Sequence, residues 1–140
     1  MISIRYRIIS PHARVPTKGT LLSAAYDIYS SEDVIIYKDD TVPVHTGLIL
    51  QPQQEYYIHV YPRSGMAKAG ISIANAPGII DADYSNELLV LLHNHSKVDY
   101  HVAIGHRIAQ IMALPINELR FVESVNLINK HGKGFGSTGQ

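Results

Sequence analysis

Short apolar or alternating stretches recur along the chain, at Ile2 to Ile9, Val34 to Tyr37, Val42 to Leu50, Tyr56 to Tyr61, Ile71 to Ala74, Glu87 to His93, Tyr100 to Ile104 and Ile108 to Leu114. Between them stand Pro, Gly, Asp, Asn and Ser, the residues that turn a chain. Stretches this short, with no helical period between them, predict the strands of an all-β sandwich or barrel. One short helix is expected, Ser64 to Ala69 in PRSGMAKAG, with Ser64 capping its first turn and Gly70 taking the left-handed exit. No repeat or linker interrupts residues 1–129, which read as one domain. From Lys130 onward KHGKGFGSTGQ has four glycines and little to bury, which predicts a flexible tail that orders on a partner.

Composition agrees with this pattern. Ile plus Val outnumber Ala plus Leu, 28 to 22, a bias toward pleated surfaces. At 140 residues and 46% apolar the chain is long enough for one substantial core. Its longest unbroken apolar run is Leu88 to Leu92, far short of the roughly 20 residues that span a bilayer, and MISIRYR lacks an apolar signal core. A soluble intracellular protein is expected, without a membrane partner. Lys plus Arg and Asp plus Glu are both 12, so no net field draws the chain to nucleic acid. Any anion must be gripped locally. With no cysteine, disulfides, thiolate zinc sites and cysteine nucleophiles are all excluded.

Four groups of residues carry candidate chemistry. Arg63-Ser64-Gly65 offers a guanidinium, a hydroxyl and free amides at a helix start, which suits phosphate oxygens as well as an ordinary helix cap. GKGFGSTG resembles a phosphate-cradling loop, yet it lacks the Walker ending and opens no strand or helix, so a plain tail is the other reading. Asp81-Ala82-Asp83-Tyr84 follows Ala76-Pro77-Gly78 and places carboxylates and a phenol on or beside a hairpin, where Asp81 is either a general base or a solvated carboxylate. His93 and His95 share one strand face as two metal ligands do, but no third ligand is evident, and ordinary polar histidines are favoured.

AAYDIYS, PRSGMAKAG, NAPGIIDADYSNE, GHRIAQI and GKGFGSTG occur in that order between Ala24 and Gly139. Together they resemble the five motifs of the homotrimeric dUTPase family. The resemblance implies a jelly-roll-like β-barrel, a homotrimer with active sites shared between subunits, and hydrolysis of dUTP to dUMP and pyrophosphate with Mg²⁺. Such an activity limits uracil incorporation into DNA and supplies dUMP for thymidylate synthesis.

By the same resemblance Asp81 activates water, and Asp27 holds waters on Mg²⁺. Arg63, Ser64, Gly65 and Gln110 contact the phosphate chain. Asn75, Gly78 and Ile80 read uracil, and Tyr84 lies under deoxyribose and excludes a 2′-hydroxyl. In the tail, residues 130–140, Phe135 closes over uracil while Lys130, Lys133, Gly136, Ser137 and Thr138 meet phosphate. Four departures stand out. Lys130 replaces the family's arginine, a point charge in place of a bidentate fork, and His131 and Lys133 replace tail glycines. Ala25 and Asn86 replace glycines, and His106 stands where an acid is common. The rival readings are a deaminase acting on dCTP and a non-catalytic regulatory protein, both of the same fold.

Overall fold

The computed structural model describes residues 1–128. In chain order the strands are β1 (Ile4–Ile8), β2 (Tyr26–Tyr29), β3 (Val34–Ile36), β4 (Thr41–His45), β5 (Leu48–Pro52), β6 (Tyr56–Tyr61), β7 (Ile71–Ile73), β8 (Gly78–Ile80), β9 (Leu89–Asn94), β10 (Tyr100–Val102) and β11 (Arg107–Pro115). Among the described residues a single helix, α1 (Ser64–Lys68), lies between β6 and β7. Every strand pairing is antiparallel, in sheets ordered β1-β5, β10-β3, β2-β11-β6-β8 and β4-β9-β7. This is the expected all-β, jelly-roll-like architecture with one short helix. None of the described helices is long and apolar enough to cross a membrane.

The alternating strands close one core. Ile28, Ile36, Val44, Leu48, Ile58, Val102 and Ala109 are wholly buried, with Val90, Leu92 and Ile108 beside them. Each comes from the inward set of its strand, so one face of every sheet is apolar. The buried polar residue Asn94 is fully engaged: its Nδ2 donates to the carbonyls of Ile36 and Val98, and its Oδ1 accepts from Ser96. Burial without such partners is strongly unfavourable.

Three local expectations are corrected. The stretch Val42 to Leu50 is two strands, because Gly47 takes φ +68° and breaks the extended run after Thr46. A side chain is excluded there, since a Cβ on Gly47 would lie 2.6 Å from Ser10 Cβ and 2.8 Å from Ala13 Cβ. β2 is absent from the expected strands, and the hairpin expected around Gly78 carries a defined strand, β8. Finally, Ser64 does not cap α1: it is the first helical residue, Arg63 holds the capping position with extended backbone, and no side chain bonds the first turn. Gly70 does take the left-handed exit, at φ +85°.

Beyond Pro115 the described chain forms no strand and every residue is exposed. Leu119, Phe121, Val122, Val125, Leu127 and Ile128 are 71% to 94% exposed. The predicted tail, residues 130–140, lies outside the described residues.

Candidate active site

Strands β2, β11 and β6 lie side by side, and their register aligns Asp27, Gln110 and Tyr61 in one row across the sheet. α1 starts immediately after β6, so Arg63, Ser64 and Gly65 stand at the end of that row. The row lines an open pocket of about 890 Å³. Asp27 is its anchor: Oδ1 accepts Arg63 Nε at 2.9 Å and Oδ2 accepts Arg107 Nη1 at 3.5 Å. The carboxylate is only 13% exposed, which strengthens both pairs relative to open water. Gln110 Nε2 donates to the Pro62 carbonyl at 3.0 Å and so faces the same opening. Gly65 has nothing within 4 Å of where a Cβ would stand, leaving its backbone open to a ligand.

Sequence reasoning gave Arg107 no role, and the reason is geometric. In a regular strand, residues three apart face opposite ways, which would put Arg107 and Gln110 on different faces. A register shift between Arg107 and Ala109 instead turns Ile108 and Ala109 both inward and brings Arg107 to the face of Gln110. The successive apolar pair Ile108-Ala109 was the available signal. Tyr61 was likewise unassigned; it lines the pocket, and its hydroxyl is 2.6 Å from His59 Nδ1.

The second group of predicted residues surrounds β8. Val60 pairs with Gly78 and Ile58 with Ile80, which lays the hairpin strand along β6. A Cβ on Gly78 would lie 3.1 Å from Val60 Cβ and 3.8 Å from Asn75 Nδ2, so the glycine permits close packing beneath Asn75. Asp81 follows directly in an exposed turn, with Asp83 also exposed. Tyr84 N–H donates to the Asp81 carbonyl at 3.1 Å, and the Tyr84 hydroxyl donates to the Glu87 carbonyl at 2.8 Å. The phenol ring is therefore fixed at half burial.

These two groups do not share a pocket within one chain. Asp81 opens on a different cleft, lined also by Arg5, Gln51, Tyr57 and Asn117. Of the other histidines, His93 Nδ1 is 2.8 Å from Thr41 Oγ1 and His95 Nε2 is 2.7 Å from Ser72 Oγ. Among the described residues no three His, Cys, Asp or Glu side chains are grouped to hold a metal. His106 Nδ1 accepts the Ala103 N–H at 3.0 Å and serves the turn before β11. Lys130, Lys133, Phe135, Gly136, Ser137 and Thr138 fall outside the described residues.

A family model described as dUTPase matches residues 11–139. The chain belongs to the dUTPase family. A deoxyuridine 5′-triphosphate nucleotidohydrolase of Candida albicans is 41% identical over 144 residues, covering 99% of this chain and 89% of the relative. Among solved structures, the Staphylococcus bacteriophage 80alpha dUTPase with dUpNHpp superposes with TM-score 0.85 at 25% identity, covering 99% of both chains. A variant dUTPase from phage phi11 of S. aureus, described with a structural Mg(II) ion, shares the fold with TM-score 0.80 at 23% identity over 89% of this chain and 99% of its own. Of the five dUTPase motifs, the first four lie in the described residues: three border the phosphate-suited pocket and one forms the hairpin turn.

Proposed function

We propose that this chain is a dUTP diphosphatase, hydrolysing dUTP to dUMP and pyrophosphate. The observation that carries the reading is the row of Arg63, Arg107 and Gln110 around one pocket, with Asp27 balancing the two guanidiniums. A triphosphate competes with Asp27 for those arginines. Bidentate guanidinium contact and the open Ser64 and Gly65 amides would then hold the leaving pyrophosphate.

Asp81 is the general base in this reading: it takes a proton from a water that attacks the α-phosphorus in line, the α,β-bridging P–O bond breaks, and pyrophosphate departs. Asn75 and the β8 backbone around Gly78 and Ile80 read uracil. Tyr84, anchored through its hydroxyl, forms the floor beneath deoxyribose. Phe135, Ser137, Thr138, Gly136, Lys130 and Lys133 close the site from the tail. Mg²⁺ fits the donor chemistry, because such a hard cation takes mostly phosphate and water oxygens and needs few carboxylates. With the arginines turned to phosphate, Asp27 would hold its waters, and the ion would supply charge neutralisation on the phosphates.

A homotrimer with shared sites is part of the same proposal. Asp81 and the phosphate-suited pocket stand apart in one chain, so a second copy is needed to join them. Support comes from the apolar segment after Pro115, which gains stability only by burial, about 1.5 to 3 kcal/mol for each large side chain covered. An apolar groove of about 500 Å³, bordered by Ile4, Tyr6, Val15, Tyr26, Met112 and Leu114 beside the open edge of β1, offers a matching surface. The test is pyrophosphate release over dUTP, dCTP, dTTP and UTP, with and without Mg²⁺. Strong preference for dUTP is the expected result. Ammonia release from dCTP, or turnover of UTP comparable to dUTP, overturns the reading.

A further inference from the structure

Four hydrogen bonds tie residues 87 and 88 to residues 45–48. Glu87 Oε1 accepts the Gly47 N–H at 2.8 Å, and Oε2 lies 2.9 Å from His45 Nδ1. Leu88 N–H donates to the Leu48 carbonyl at 2.8 Å, and the Leu88 carbonyl accepts the Thr46 hydroxyl at 2.6 Å. The 45–48 side of this seam is rigid. Gly47 is locked in its left-handed conformation against Ser10 and Ala13, and Thr46 and Leu48 are wholly buried. The donor at Gly47 is thus fixed in space, and the backbone break that creates it is the one the strand pattern concealed.

At its other end Glu87 meets the candidate site. Its carbonyl accepts the Tyr84 hydroxyl, and the Tyr84 N–H returns to the Asp81 carbonyl. A continuous chain of hydrogen bonds therefore runs from Gly47 through Glu87 and Tyr84 to Asp81. Asp81, Asp83, Ser85 and Asn86 in this turn are exposed, so packing alone does not hold it. Leu88 is buried and retains its two backbone ties without the Glu87 carboxylate, so loss of that carboxylate frees the turn and leaves β9 in place.

We propose that Glu87 is a positioning residue for substrate selection: its carboxylate, gripped by Gly47 N–H and His45, sets the turn that presents Tyr84 beneath the sugar. The proposal rests on Tyr84 being the deoxyribose floor. A tight pocket rejects a 2′-hydroxyl by steric exclusion, which fails as soon as one wall can move. Glu87 touches no substrate and acts only through Tyr84. Its effect belongs in sugar selectivity and KM, whereas a residue serving stability alone would shift only unfolding.

The experiment compares full-length wild type, Glu87→Ala, Glu87→Gln and Tyr84→Ala. It measures kcat and KM for dUTP and for UTP, with circular dichroism and thermal melts on the same samples. Glu87→Ala is expected to lower the dUTP-to-UTP ratio of kcat/KM about tenfold, chiefly by lowering KM for UTP. Glu87→Gln keeps an oxygen for the Gly47 N–H and should restore most of the ratio. A folded Glu87→Ala whose ratio stays within about twofold of wild type overturns the proposal when Tyr84→Ala lowers it. An unchanged ratio in Tyr84→Ala overturns the sugar-floor reading itself, and this proposal with it. Where Glu87→Ala does not fold, Glu87→Asp, which withdraws the carboxylate by one methylene, decides by the same ratio.

Discussion

Replacing Gly47 by alanine adds one methyl group at the junction of β4 and β5, and its consequence can be worked from two independent terms. The first is conformational: Gly47 has φ +68°, where an L-residue is disfavoured by about 1–2 kcal/mol. The second is steric. The new Cβ would meet Ser10 Cβ at 2.6 Å and Ala13 Cβ at 2.8 Å, both side-chain roots that can retreat only with their backbone. Overpacking of this kind costs about 1–3 kcal/mol. Together the terms predict destabilisation of about 2–5 kcal/mol, a large share of the roughly 5–15 kcal/mol that holds a domain folded.

Equilibrium urea unfolding followed by circular dichroism, at one fixed chain concentration, measures this directly. With a slope of about 2 kcal/mol/M the midpoint should fall by about 1–2.5 M. Gly65→Ala is the internal control. Nothing lies within 4 Å of its Cβ position, and it is helical. There alanine should stabilise by about 0.4–1 kcal/mol through the unfolded state, while dUTP hydrolysis drops because the methyl stands at the pocket mouth. A Gly47→Ala stability within about 0.5 kcal/mol of wild type, a midpoint shift of no more than about 0.25 M, would refute the strain argument and with it the rigidity claimed for the Glu87 anchor.

Further outcomes follow from the site. Asp81→Asn should retain the fold and lose about 10²- to 10⁴-fold in kcat, and near-normal turnover would show that Asp81 is not the base. Asp27→Asn removes the counter-charge of Arg63 and Arg107, so calorimetry in metal-free buffer should show tighter pyrophosphate binding, while turnover loses its response to Mg²⁺; unchanged pyrophosphate affinity contradicts the competition. His45 is raised above its usual 6.5 by its hydrogen bond to Glu87, against a smaller opposing effect of burial, with the Glu87 and Glu32 charges adding to the rise. Its contribution to stability is therefore complete below pH about 6.5 and disappears as pH climbs through the raised value, so His45→Gln should destabilise near pH 6 and match wild type near pH 9 in urea midpoints. Truncation after Asn129 should abolish most hydrolysis while sedimentation still shows the wild-type assembly, and mixing that protein with Asp81→Asn subunits should restore part of it; verified mixed assemblies without activity argue against shared sites.

The strands most legible in the sequence were those with clean alternation, and Tyr56–Tyr61 matches β6 residue for residue. β2 was hidden because Tyr-Asp-Ile-Tyr offers only one buried apolar residue, Ile28, between polar-tipped neighbours. β8 is three residues long and contains a glycine, and strand signals that brief are indistinguishable from turn punctuation. Gly47 broke a run that reads as continuous, because a single left-handed residue leaves the hydrophobic period on either side intact. The helix cap failed for a related reason. Serine one place before or after a capping position looks the same in sequence, and only backbone angles distinguish them.

Candidate chemistry was legible as residue types but not as partnerships. Arg63 and Asp27 are 36 positions apart and Arg107 is 80 from Asp27, so their union depends on β11 lying between β2 and β6 and on its bulge. Linear order likewise lists Asp81 between Arg63 and Gln110, although within one chain it opens on a different cleft. The apolar count carries the same ambiguity: Leu119 to Ile128 contribute to the 46% that marks a globular chain, yet six of their side chains lie exposed. A monomer gains nothing from that exposed surface, and an open edge on β1 beside an apolar groove gains nothing from remaining open. One association that covers the segment and brings Asp81 of one copy to the arginines of another would satisfy the burial requirement and the catalytic requirement with the same contacts. That coupling makes a testable distinction: polar substitutions at Phe121 and Val125 should lose assembly and hydrolysis together, although neither residue lies in the described pocket around Asp27.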